Sequence, residues 1–132
     1  MKQLFLYSIL LCNYYNINSQ TTVGLIQRNT GSLDDGYVLF SPTGGTSTYL
    51  IDKCGKQVKS WASAYKPGQS CYILPDGTLL RPANANNTTF DAGGKGGIIQ
   101  KIDWDGNVIW SYTISSAVEC QHHDIKALPN GN

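Results

Sequence analysis

The chain has 132 residues, enough for one ordinary domain. Ten Lys and Arg against nine Asp and Glu leave a formal charge of +1, and the basic residues are scattered, so no patch exists that would hold nucleic acid. Charged residues make up only 14%, aromatics reach 11% and glycine occurs 14 times, a mixture that suits strands and turns better than helices.

Residues 1–19 read as a secretory signal. Lys2 supplies the positive start, Leu4 to Cys12 (LFLYSILLC) the apolar core, and Ser19 a small residue before cleavage, with Gln20 as the new terminus. Nine apolar residues are too few to cross a bilayer as a helix, so no membrane span is expected. The same stretch also fits an apolar amino-terminal strand, or a lipid anchor at Cys12, although the bulky Leu11 disfavours an anchor. The expected organisation is therefore an exported chain whose residues 20–132 form the mature part. That part holds Cys54, Cys71 and Cys120, which allow one disulfide and one free thiol, or a partner further downstream. No C-x-x-C spacing supports a zinc site built on cysteines.

The mature part repeats itself. YLIDKCGKQVKSW (Tyr49 to Trp61) is followed by CYILPDGTLLRP (Cys71 to Pro82). IQKIDWDGNVIWSY (Ile99 to Tyr112) is followed by HDIKALPNGN (His123 to Asn132). Asp52 and Asp103 lie about 51 positions apart, a period typical of propeller blades. Ile-Asp-x-x-Gly reads as a strand closing into a tight turn, with Gly55 or Gly106 at positive φ. The next strand ends in Trp61 or Trp110, a ring large enough to pack between sheets. Leu-Pro-Asp/Asn-Gly reads as a second hairpin turn, in which Pro75 or Pro129 fixes φ and Gly77 or Gly131 closes the bend. Each unit is then a small antiparallel meander that cannot bury both faces alone, and stacking such units around an axis solves that. The predicted fold is all-β, an incomplete β-propeller of about two blades, and the competing fold is a β-sandwich. The chain stops at Asn132 directly after a turn signal, which is read as truncation of a longer propeller.

The order YLID-x-x-G…W, LPDGTLL, IDWDGNVIWSY and HHDIKALPNGN resembles the arylsulfotransferase (aryl-sulfate sulfotransferase) family, from about Gly36 to Asn132. Many propellers share the single turns; DWDGNVIW followed by HHDI and LPNGN is the more specific combination. The resemblance implies a six-bladed β-propeller in a periplasmic or secreted bacterial protein. It implies transfer of a sulfuryl group from a phenolic sulfate ester to a phenol, with no nucleotide donor and no cofactor. It also implies a transiently sulfated histidine in a later blade, outside these 132 residues, and further histidines and an arginine that bind sulfate around a central channel. His122 and His123 match the histidine motif of the early blades. The chain alone is accordingly expected to be inactive.

The repeat weighs these histidines without relatives. His123 lies six positions before Pro129, and the residue six before Pro75 is Gln69; Asp124 likewise corresponds to Ser70. The scaffold thus does not require His or Asp here. Imidazolium donates hydrogen bonds to developing negative oxygens, and neutral imidazole relays a proton, so sulfate binding and polarisation are the expected work of His122 and His123. On a strand, His122 and Asp124 would point one way and His123 the other, with His123 narrowly favoured to face a channel. Asp124 is expected to orient an imidazole. A histidine pair bonded only to backbone is the plain alternative, and divergence of adjacent side chains argues against a shared metal ion. DWDGN (Asp103 to Asn107) reads as a hairpin turn rather than a calcium loop. GGKGG (Gly93 to Gly97) lacks the ending of a phosphate loop. Asn86 and Asn87 carry glycosylation sequons, and Arg81 is an inward anion contact or, more commonly, a solvated charge. The functional class competing with the transferase is a non-catalytic secreted propeller that binds a partner. Downstream histidines and an arginine would separate the two.

Overall fold

The computed structural model describes residues 23–131, so the expected signal at residues 1–19 lies outside the described residues. Among the described residues there is no α-helix, only one turn of 3-10 helix at Thr30–Ser32. Seven strands follow: β1 (Tyr37–Phe40), β2 (Thr48–Asp52), β3 (Gln57–Trp61), β4 (Tyr72–Ile73), β5 (Leu79–Asn84), β6 (Gly97–Ile102) and β7 (Val108–Thr113). They form two antiparallel meanders, a three-stranded sheet β1-β2-β3 and a four-stranded sheet β4-β5-β6-β7.

The repeated turns fold alike. In β2–β3, Asp52 Oδ1 accepts from Cys54 N and Lys56 N, and Gly55 N donates to Asp52 O. In β6–β7, Asp103 Oδ1 accepts from Gly106 N and Asn107 N, and Gly106 N donates to Asp103 O. Gly55 (φ +78°) and Gly106 (φ +101°) both occupy the left-handed region, where a side chain would be strained. The Leu-Pro turns also match: Gly77 N donates to Leu74 O and Gly131 N to Leu128 O, each at 2.9 Å. Even the irregularities repeat, since the register shifts at Leu50/Ile51 and again at Lys101/Ile102. DWDGN is therefore a hairpin turn.

The repeat is real, but its structural unit starts elsewhere. Reading each unit as the Ile-Asp hairpin followed by the Leu-Pro hairpin cuts across two sheets. The Leu-Pro hairpin β4–β5 joins the Ile-Asp hairpin that follows it, not the one before it. Either phase shows the same period in sequence. Only the pairing of β5 with β6, in register from Leu79↔Ile102 to Asn84↔Gly97, decides between them.

The two sheets meet through a core of Trp61, Leu79 and Ile102, with Leu39, Leu50 and Cys71 packed against it. The Trp61 ring is fully buried, its Nε1–H donates to Asp103 O at 2.9 Å, and Trp104 closes on it edge-to-face at 5.4 Å. Trp110, its partner in the repeat, behaves differently. It remains 45% exposed, stacked on Tyr112 with the Lys101 ammonium over its ring. The groove beside it is bordered by Leu80, Ile99 and Lys101 of its own sheet and by the short stretch that includes Ile125, Lys126, Ala127 and Gly131. Trp110 thus does not pack between described sheets.

Arg81 on β5 is also buried, which corrects its reading as a solvated charge. Its guanidinium donates to Thr46 O in the β1–β2 connection, to Thr48 Oγ1 at the start of β2 and to Tyr65 O between β3 and β4, and so ties the first sheet to the second. Burial lowers its pKa. Three hydrogen bonds to neutral oxygens meet part of the cost of burying the charge. All three described cysteines are free thiols, so of the arrangements they allow, a disulfide among themselves is not formed. Cys54 sits in the β2–β3 turn, Cys71 sits against the inter-sheet core and Cys120 follows β7. Burial raises the Cys71 thiol pKa, despite a hydrogen bond with Ser41 and the nearby Arg81 charge.

Candidate functional site

The chain after β7 turns back towards the start of β4. A bridge pairs Ser115 with Cys120, and Gln121 N donates to Ile114 O. Gln121 then clamps the segment: its Oε1 accepts from Gly97 N at 3.0 Å and its Nε2 donates to Asp124 O at 3.0 Å. The segment carrying His122, His123 and Asp124 is not a strand. The alternation expected of a strand therefore fails. The two imidazoles instead face each other, centroids 4.5 Å apart and planes inclined by 75°, with a hydrogen bond between their Nδ1 atoms.

His122 rests on the glycine-rich loop between β5 and β6. Its Nε2 lies 2.8 Å from Gly93 O. A Cβ on Gly94 would lie 2.5 Å from His122 Cε1, and one on Gly96 would strike the His122 carbonyl. GGKGG is therefore the floor of the histidine pair. That role escapes sequence reading because the run has no motif of its own. A cleft of about 310 Å³ opens beside this floor, lined by Phe90, Gly93, Gly94, Lys95, Cys120 and His122 among others. Lys95 pairs with Asp91 across one turn of that loop.

His123 is held by its backbone. Its carbonyl accepts from Ser70 N at 3.4 Å and Ser70 Oγ at 3.1 Å. Ser70 and Gln69 are the repeat counterparts of Asp124 and His123, so equivalent points of successive units lie side by side. Gln69 has φ +89°, an unusual conformation for a residue with a side chain. It borders a second cleft of about 360 Å³, with Lys66, Asn84 and the 91–95 loop.

Asp124 does not contact either imidazole by a hydrogen bond. Its Oδ1 accepts from Tyr72 Oη at 2.7 Å and from Ile125 N at 2.8 Å. The Tyr72 hydroxyl, with help from Ser70, holds the Asp124 carboxyl below the usual carboxylate range, and the same bond raises the Tyr72 pKa. The orienting contacts for the rings come instead from Gly93 O and from the rings themselves. Tyr72 and Ser70 are site residues that the sequence left unmarked. The repeat alignment points to their positions, without giving their contacts.

No group of three or more His, Cys, Asp or Glu among the described residues is placed to hold a metal ion. No helix among them is long and apolar enough to cross a membrane. Asn87 Nδ2 donates to Ser115 Oγ and Ser116 O, so this sequon amide is occupied in holding the loop. No protein-family model, no curated protein and no solved structure matches the chain.

Proposed function

We propose that this chain belongs to an exported β-propeller of arylsulfotransferase type, in which His122 and His123 bind and polarise the sulfuryl group of a phenolic sulfate ester. The fold part of this reading is supported by two antiparallel meanders with repeated turns that share a buried cluster around Trp61. The chemical part rests on one observation: an exposed imidazole pair, on a glycine-rich floor, beside clefts that also hold lysine, glutamine and an aromatic ring.

His122 has both ring nitrogens engaged, one with Gly93 O and one with His123. His123 Nε2 is therefore the atom available to a ligand. Protonated there, it donates to a non-bridging sulfate oxygen, where transfer gathers negative charge. Phe90 and the glycine backbone offer a surface for the phenolic ring. The pair binds and polarises; on the family resemblance, attack on sulfur belongs to another histidine.

The test is binding of 4-nitrophenyl sulfate to the whole chain, followed by proton and nitrogen NMR. The reading expects saturable shifts centred on His123, abolished in His123→Ala while the backbone spectrum stays folded. Equal affinity in the wild type and His123→Ala would remove the sulfuryl assignment and leave a propeller with a binding role only.

A further inference from the structure

The hydrogen bonds around the two rings have only one consistent arrangement when both are neutral. Gly93 O is a carbonyl and only accepts, so His122 Nε2 must carry the proton in that 2.8 Å bond. A neutral imidazole holds one N–H, which leaves His122 Nδ1 as an acceptor. Its partner is His123 Nδ1, which must then donate. The His123 proton sits on Nδ1, and His123 Nε2 is left with an outward lone pair. Both side chains are exposed, so this ordering comes from the bonds and not from burial.

We infer that His122 and His123 form an ordered imidazole pair with one working atom, His123 Nε2, and that His122 is a positioning residue acting through His123. The chain Gly93 O, His122, His123 fixes the tautomer of His123 as a backbone carbonyl or carboxylate does for other working histidines. Gly94 and Gly96 make this possible by letting His122 lie directly on the loop. The fitting ligand is a hydroxyl compound that yields a proton to Nε2, or an oxyanion that receives the same proton back.

The proton count closes. In the neutral pair there are two ring N–H groups, His122 Nε2–H and His123 Nδ1–H. When a phenolic hydroxyl transfers its proton to His123 Nε2, the O–H bond breaks, the N–H bond forms and the oxygen keeps the electron pair. His123 becomes imidazolium while its Nδ1–H still points at the lone pair of His122 Nδ1. That contact spreads the charge over two rings. Titratable groups around the pair include Asp124 and Tyr72 on the β4 side and the Lys95–Asp91 pair, which shares a cleft with His122. The ligand class deepens the sulfuryl reading and rests on it; the tautomer assignment does not, because it is a property of the ligand-free chain.

The experiment is long-range proton–nitrogen correlation on the imidazoles of the whole ligand-free chain, above the pH at which both rings are neutral. His122 should be protonated on Nε2 and His123 on Nδ1, the less common tautomer of a free side chain. His123→Ala assigns the signals. His122→Phe should return His123 to the common Nε2–H form. His122→Gln should keep Nδ1–H, because its amide N–H can serve Gly93 O while its amide oxygen accepts from His123. Carbethoxylation read by mass spectrometry should favour His123 over His122 about fivefold, the factor that one net hydrogen bond supplies. A ligand-free wild type with His123 on Nε2–H, or reaction at His122 as fast as at His123, would overturn the inference. Failure to bind 4-nitrophenyl sulfate with the tautomers as stated would instead remove only the sulfuryl reading.

Discussion

Trp61 and Trp110 are counterparts in sequence and opposites in environment, so truncating each one measures how the sheets are held together. Trp61→Ala empties a fully buried site between the sheets and removes the indole bond to Asp103 O. Large aromatic truncations in cores cost about 3–5 kcal/mol. The Asp103 carbonyl still accepts from Gly106 N, so the lost indole bond adds only about 1 kcal/mol. Trp110→Ala removes a half-exposed ring in contact with Tyr112 and Lys101, and such a pair is worth roughly 1 kcal/mol. Urea unfolding of the whole chain, followed by circular dichroism, reads both. With a slope of about 1.5 kcal/mol per molar, Trp61→Ala should lower the midpoint by at least about 2 M and Trp110→Ala by less than 1 M. Where Trp61→Ala does not fold, Trp61→Phe gives a smaller loss on the same scale. Equal losses at the two positions would refute the reasoning, because Trp110 would then be as well covered as Trp61.

Gly94→Ala places a methyl group against the His122 ring in a left-handed backbone (φ +79°), so it should cost roughly 1–2 kcal/mol and move the His122 ring resonances. An unchanged His122 spectrum would sink that reading of the loop. Asp103 has its carboxyl held below the ordinary range by the Asn107 side chain and then by backbone N–H groups. A depressed folded pKa stabilises the native chain fully above about pH 4 and loses that effect as pH falls through the lower folded value. Wild type should therefore lead Asp103→Asn in stability at neutral pH, with the lead narrowing in acid; a lead that widens in acid would contradict the assignment. Arg81→Ala should cost about 3 kcal/mol through lost hydrogen bonds and an unfilled space, read by the same urea midpoint. A loss under about 1 kcal/mol would mean that the guanidinium does not tie the sheets.

Turn chemistry was open to reading because it is local. Gly55, Gly77, Gly106 and Gly131 all adopt the positive φ that their tight turns require, and Asp52 and Asp103 bond the backbone within four residues. Phase was not, because a hairpin has no mark telling which neighbour it joins. Burial of Arg81 was also hidden: its three acceptors come from residues 46, 48 and 65, far from it along the chain. At the site, the histidine pair was conspicuous by residue type and by its contrast with Gln69. The mutual contact of the rings was missed because the segment leaves strand geometry, and strand alternation governs only strands.

By itself the sequence determined an all-β chain, the four turns and the contrast between the histidine pair and its repeat counterparts. Short-range preferences and a single period suffice for those. Tertiary structure alone decided that β5 pairs with β6, that Trp61 is buried and Trp110 is not, and that GGKGG lies beneath His122. Those outcomes depend on contacts between residues about 13 to 42 positions apart, whose energies cannot be read from any one segment.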